Sequence, residues 1–395
     1  MVLDATALDS GHRRRGIGRY VGGLTEGIYA QRAQHPLAEE VKALRLRTGF
    51  GEKTQIRPAQ TGAAGDTRVQ LPQWHLRRPT AQHRVRWVFN ELFLTAELRH
   101  ANAALYHSTE PWSAPVSRHF STVLTCHDLI PLLFPEQYLN FDHLYWRAYY
   151  AWMERTGRWN RLTRIIAISE ATRRSLVELL GVDEERIDVV YNGIDHEFFQ
   201  PVEDSERVEE VRERYGLERP FVLYLGGYDF RKNIAALVEA MAEVPDTLGA
   251  ELVLAGGMGE ETAGELDALA GRLGVEDHIR HLGYIDDEDV PAMYSLAQVF
   301  AYPSLAEGFG LQALEAMACG CPVVAANCTS LPEVLGEAGL LVDPRRPTAI
   351  AEAISRILED DAFRQDLRER GLERAAEFSW ERCARETLEV YERAL

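Results

Sequence analysis

Short apolar runs alternate with amphipathic stretches along this chain, and the period of each run sets the element it predicts. Val2-Leu3-Asp4-Ala5 reads as a strand, and Gly16-Ile17-Gly18-Arg19-Tyr20 leads into a helix running to about Ala30. Residues 41–47 read as a strand and 48–72 as loop; a further helix ends near Asn102. The runs at 103–107 and 122–126 are strands, a Tyr/Trp-rich helix covers about 138–162, and Arg164-Ile165-Ile166-Ala167-Ile168 is a strand whose successor helix is capped by Ser169. Ile187-Asp188-Val189-Val190-Tyr191 closes this first series at an Asn192-Gly193 turn.

An acidic run at 203–213 marks a boundary, after which the alternation restarts. Strands fall at 221–225, 251–255, 278–282, 297–302, near 321–325 and near 339–342, with helices between. Two such βαβ series predict an α/β protein of two Rossmann-like parallel-sheet domains, 1–200 and 201–377, facing each other across a cleft. The stretch 378–395 is an amphipathic helix with apolar Trp380, Cys383, Leu388 and Tyr391, expected to cross back onto the first domain.

Composition narrows the class. The chain has 395 residues, 46% hydrophobic and 26% charged, as in a soluble globular protein of about two domains. No apolar run is long enough for a membrane span, and the first residues have no basic, apolar signal sequence. The five cysteines are too few for a disulfide framework, so a reducing, cytoplasmic setting is expected. Cys319-Gly320-Cys321 with Cys328 has zinc-like spacing, but no fourth ligand lies near and Cys321 opens an apolar strand.

Charge is uneven. The net −18 divides into +3 over residues 1–200 and −21 over 201–395, and the first hundred residues alone carry +7. The acidic half argues against nucleic-acid binding, whereas the basic half suits an anionic surface or substrate. Trp74-His75-Leu76-Arg77-Arg78 and Arg84-Val85-Arg86-Trp87-Val88-Phe89 fit either contact with anionic lipid headgroups or a packed helix face with solvated arginines. Arginine supplies almost every positive charge; the only lysines are Lys42, Lys53 and Lys232, which singles out the ammonium in the glycine-led loop at 226–233.

Candidate chemistry gathers around Ser304–Ala318. Pro303 and Ser304 end a strand, Gly308-Phe309-Gly310 opens a helix, and the unpaired amides of that helix start favour an anion. Glu307 lies in the loop and Glu315 about two turns into the helix, a spacing that grips two parts of one hydroxyl-rich ligand. Gly16-Ile17-Gly18 has the layout of a phosphate-facing turn without the spacing of a dinucleotide fingerprint. His127-Asp128 ends a strand at the edge where open α/β sheets bind ligands.

In this order, Gly16-Ile17-Gly18-Arg19-Tyr20, His127-Asp128-Leu129-Ile130-Pro131, Val190-Tyr191-Asn192-Gly193-Ile194-Asp195, Arg231-Lys232-Asn233 and the Glu307…Glu315 pair, the chain resembles the retaining GT-B glycosyltransferases of family four, also called group 1. The resemblance implies that Arg231 and Lys232 hold a donor pyrophosphate and that Glu315 accepts hydrogen bonds from the ribose. It puts Glu307 by the donor sugar, the backbone of Gly308, Phe309, Gly310 and Leu311 around it, and Gly226, Gly227, Tyr284 and Ile285 on the nucleotide. Gly16 and Gly18 would approach the phosphate, and His127 would line the acceptor side near the sugar. The chain departs from many members at Gly227, where they carry an arginine. The implied activity is retaining, metal-independent transfer of a hexose from a nucleotide sugar to a glycan or lipid-linked glycan, with the leaving phosphate assisting deprotonation of the acceptor. The His127–Pro131 segment is similar to that of mannosyltransferases of surface-polysaccharide and O-antigen assembly, so GDP-mannose is the first expected donor and UDP-sugars the next, at the inner membrane face. A GT-B epimerase or phosphorylase, or a non-catalytic partner in glycan assembly, would share the architecture.

Overall fold

The computed structural model describes residues 1–9, 16–45, 73–75, 93–110, 114–139 and 144–395. The arginine- and aromatic-rich positions Arg77, Arg78, Arg84, Arg86 and Trp87, and the whole of the loop at 48–72, lie outside them. The chain forms two compact units, Met1–Gly193 with Ser379–Leu395, and Ile194–Phe378. The division therefore falls at the Asn192-Gly193 turn rather than after residue 200.

Described strands of the first unit are β1 (Val2–Asp4), β2 (Lys42–Arg45), β3 (Gln73–His75), β4 (Leu105–Ser108), β5 (Ser121–Cys126), β6 (Arg164–Ala167) and β7 (Ile187–Val189). They run in the order β3-β2-β1-β4-β5-β6-β7 with every pair parallel. Their near-continuous apolar sequence follows from burial on both faces. The sequence misplaces one helix here. In place of a single helix over 138–162, the described residues form a helix at Leu144–Arg155 and a 3₁₀ turn at Trp159–Arg161, preceded by short helical turns at Ile130–Leu133 and Pro135–Tyr138. Pro131 and Pro135 each sit at a helix start, and Gly157, at φ +56°, ends the long piece.

The helix Trp380–Ala394 belongs to this unit. Ser379 accepts the Arg382 amide at 3.2 Å and caps it. Cys383, Leu388 and Tyr391 are buried with Leu3, Tyr20, Leu24 and Ile28 in one core, each large side chain contributing about 1.5–3 kcal/mol. A Cβ at Gly23 would stand 2.1 Å from the Trp380 ring, so this helix docks where the first helix has no side chain. Near its end, Arg393 reaches Asp188 at 3.0 Å, a carboxylate also held in a bidentate pair by Arg164.

The second unit holds β8 (Phe221–Leu225), β9 (Glu251–Ala255), β10 (Ile279–Gly283), β11 (Val299–Tyr302), β12 (Val323–Ala326) and β13 (Leu340–Val342). Their order is β10-β9-β8-β11-β12-β13, again all parallel. The acidic run expected to mark a boundary is instead a helix, Ser205–Tyr215, capped by the Asp204 carboxylate. It is fixed by Arg207, Arg214 and Tyr215, which all bond the fully buried Asp289. Burial alone would raise that carboxyl; the hydrogen bonds from Tyr215, Arg214 and Arg207 hold it below its ordinary range.

Candidate functional site

The strand order of the second sheet reverses between β8 and β11, and ligands of open α/β sheets bind at the carboxyl edge of such a reversal. Three neighbouring strands send loops from that edge. The loop after β8 carries Arg231 and Lys232, the loop after β11 carries Glu307, and the loop after β12 carries Cys328, Thr329 and Ser330.

Arg231 and Lys232 sit in a single 3₁₀ turn, Phe230–Lys232, started by the Asp229 carboxylate on the Arg231 amide and ended by Asn233 at φ +59°. The turn places both cations on one acid. Lys232 Nζ lies 2.7 Å from Glu307 Oε1, and Arg231 Nη1 lies 2.9 Å from Oε2. Arg231 also donates to the Ala306 carbonyl at 2.9 Å, and Lys232 donates to the Tyr302 hydroxyl at 2.7 Å, which in turn donates to Gln312 at 2.9 Å. Lys232 is only 5% exposed. Burial lowers its pKa, with Glu307 acting the other way. Burial would raise the Glu307 carboxyl, but Lys232 and Arg231 hold it below the usual range, so it is a carboxylate facing two cations.

Glu307 is fixed through its backbone as well. Its amide donates to Thr329 Oγ1 at 3.0 Å, and Ser330 Oγ donates to the carbonyls of Glu307 at 3.0 Å and Phe309 at 2.8 Å. Gly310 then turns the chain at φ +106°, and its missing Cβ leaves room for Leu331. The helix Leu311–Ala318 starts from it, with the first amides free of intrahelical acceptors. The Phe309 ring packs edge-on to Phe378, centroids 5.8 Å apart. Glu315 is buried two turns along, with the Tyr294 hydroxyl at 3.4 Å from Oε2.

The other positions named for the nucleotide follow neighbouring strands. Gly226 donates its amide to the Ala255 carbonyl at 3.1 Å, while a side chain at Gly227 would meet open space. Tyr284 is 61% exposed just after β10 with its hydroxyl on Asp287 at 3.1 Å, and Ile285 beside it is buried.

In the first unit, Gly16 and Gly18 are not a flexible loop: both lie within the first turn of the helix Gly16–Ala30, and Gly18 is buried. Their amides still lack intrahelical acceptors there. His127 follows β5 directly, and its Nε2 donates to the Thr109 carbonyl at 3.0 Å, leaving Nδ1 as the acceptor nitrogen. Burial lowers its pKa to about 4. Asp128 turns away to cap the next turn through the Ile130 amide at 3.1 Å. The Tyr20 ring meets His127 edge-on, centroids 4.9 Å apart. Behind it Tyr20, Thr125, His107 and Tyr391 form a buried chain of hydrogen bonds of 2.7–2.8 Å.

Reading the sequence misses Tyr302, Gln312, Thr329 and Ser330, all of which orient the charged groups. Tyr302 alone leaves a trace, as the last residue of an apolar strand whose alternation aims it at the site. Cys319, Cys321 and Cys328 do not converge on a metal. Cys319 and Cys321 are buried, Cys328 Sγ lies on the Ser304 and Leu305 carbonyls, and no metal-binding group of His, Cys, Asp or Glu is found among the described residues.

Known proteins resemble the chain across both units. The model for "Glycosyl transferases group 1" matches residues 207–374, and that for "Glycosyltransferase Family 4" matches 28–198. The serotype-specific mannosyltransferase WbdA of Escherichia coli is 33% identical over 279 residues, 70% of this chain and 34% of WbdA. The O-antigen chain mannosyltransferase B of Escherichia coli is 39% identical over 230 residues, 58% of this chain and 60% of that protein. The matched regions thus cover 34–60% of the length of these relatives. Among solved structures, a sucrose-phosphate synthase from Thermosynechococcus elongatus superposes with a TM-score of 0.72 at 25% identity, over 99% of this chain and 98% of the other. With two parallel sheets in this order, the architecture is the GT-B fold expected from the sequence.

Proposed function

The chain belongs to the group 1, family 4 glycosyltransferases, and on that footing we propose that it transfers a hexose, mannose in the first instance, from a nucleoside-diphosphate sugar to a glycan or lipid-linked glycan. The observation that carries this reading is the convergence of Arg231, Lys232 and Glu307 at the β8/β11 edge. Breaking the anomeric bond builds negative charge on the leaving diphosphate. Two cations, paired here with Glu307 and Asp229, stand beside a helix start where they can turn to the anion that would form. Glu315 supplies acceptors for the ribose, Glu307 for the sugar hydroxyls, and Tyr284 an exposed ring for the base. His127, neutral with Nδ1 as its acceptor nitrogen, suits a hydrogen bond from a hydroxyl.

The transfer retains the anomeric configuration, with the departing phosphate assisting deprotonation of the acceptor. On this reading no divalent ion is needed. GDP-mannose is favoured over UDP-sugars by the similarity to the Escherichia coli mannosyltransferases. The donor faces the cytoplasm, where contact with anionic membrane would bring the lipid-linked acceptor.

Thermal shift against GDP-, UDP- and ADP-sugars identifies the donor, since a ligand of the folded state raises apparent stability. Transfer is then followed by NMR of the anomeric centre in the presence of EDTA. We expect a GDP-mannose shift, a retained anomer, and at least ~100-fold lower turnover in Lys232→Ala. An inverted product, unchanged Lys232→Ala turnover, or donor conversion without any acceptor overturns the reading.

A further inference from the structure

The loop after β12 touches the acid loop through consecutive residues, and each of these contacts is to main chain. Cys328 Sγ lies 3.4 Å from the Ser304 carbonyl and 3.3 Å from that of Leu305. Thr329 Oγ1 accepts the Glu307 amide at 3.0 Å, and Ser330 Oγ reaches the carbonyls of Glu307 and Phe309. Three neighbouring side chains therefore hold the backbone from Ser304 to Phe309, on both sides of the candidate acid.

The middle residue adopts an unfavourable conformation. Thr329 has φ +50°, and the other described non-glycine residues with positive φ are Asn102 and Asn233, a type that tolerates it. A β-branched residue there is strained and persists only when its surroundings impose it. Glycine or asparagine would fit the backbone better but would not present the same hydroxyl to the Glu307 amide.

We propose that Cys328-Thr329-Ser330 is a positioning clamp on Glu307, an inference that rests on the donor-site reading for its catalytic meaning but not for its geometry. The Glu307 carboxylate is held by Arg231 and Lys232, the same groups assigned to the diphosphate. When those cations turn to a phosphate, the carboxylate loses both of its ion-pair partners. The contacts from Thr329 and Ser330 do not involve the cations, so they keep the acid aimed through that exchange. Thr329 does not touch substrate; it acts through Glu307.

Three variants test this. Thr329→Gly removes the hydroxyl and relieves the strain, Thr329→Ala removes the hydroxyl and keeps the strain, and Thr329→Ser keeps the hydroxyl. Hydrogen exchange at the Glu307 amide should accelerate at least ~10-fold in the glycine and alanine variants and stay near wild type in the serine variant. Donor turnover should follow the same split, with kcat down ~10-fold or more and the donor KM changed less than ~3-fold. The Tm of Thr329→Gly should equal or exceed that of wild type, which a merely structural residue would not allow. Unchanged Glu307 amide protection in Thr329→Gly, or equal losses in the serine and glycine variants, overturns the clamp. Accelerated exchange in a protein whose wild type turns over no nucleotide sugar leaves the clamp standing and removes the donor-site reading instead.

Discussion

The two units present different chemistry from sheets of the same design. In the second, the reversal point carries full charges, Arg231 and Lys232 on Glu307, pulled out of water and matched to one another. In the first, the buried chain behind His127 is built of neutral groups: His107 links Tyr391 to Thr125, Thr125 meets Tyr20, and Tyr20 abuts His127. Burying ions demands exact partners, because a lone buried charge is far more costly than a lone hydroxyl. A neutral chain tolerates loss of one link at the cost of one hydrogen bond. The difference teaches which half should fail when a partner is removed, and under which conditions.

A spectroscopic asymmetry makes this measurable. All seven tryptophans fall within Met1–Gly193 or Ser379–Leu395, so tryptophan fluorescence follows the first unit while circular dichroism follows both. The largest expected effect is from Lys232→Met, which leaves Glu307 facing Arg231 alone and should destabilise the second unit by about 3–5 kcal/mol in urea unfolding. The dichroism transition shifts and the fluorescence transition stays; a shared shift would break the contrast. Next comes acid. Burial holds His107 at a pKa of about 3, so below pH 6.5 the unfolded chain takes up a proton that the folded first unit refuses. Stability of that unit should fall by about 1.4 kcal/mol per pH unit from this group between pH 6.5 and 3. The depressed Glu307 carboxyl acts in the same sense but in a lower window: its contribution is intact above the ordinary carboxylate pKa and is lost as pH falls from there through its lower folded value. Between pH 6.5 and 5 the fluorescence transition should therefore move first, and His107→Asn should lessen its slope, with His127, which burial lowers to about 4, supplying the remainder; an unmoved transition refutes the assignment. Smallest is Tyr391→Phe, which strands one His107 nitrogen and should cost about 1–3 kcal/mol in the fluorescence transition alone.

Much of this was legible in local sequence because local physics writes it. Apolar runs gave the strands, and the glycine-led turns at 226–233 and 308–310 announced loops that approach a ligand. The charged trio was legible because its members follow strand ends. What stayed hidden depends on distance along the chain. Thr329 meets Glu307 across a separation of 22 residues, and nothing in Cys328-Thr329-Ser330 signals which loop it touches. The acidic run at 203–213 looked like a solvated boundary because its partner, Asp289, lies some 75–82 residues on. Aromatic periodicity predicts too long a helix over 138–162 because it outweighs the break at Gly157.

The helix Trp380–Ala394 fills the core of a unit that began with Met1, although a whole second unit intervenes. As the polypeptide leaves the ribosome, Ile194–Phe378 has all of its own strands available while Tyr20, Leu24 and Ile28 still await Cys383, Leu388 and Tyr391. The first unit is thus completed only after the whole of the second has been made, and until then it is an open sheet whose apolar seam needs shielding.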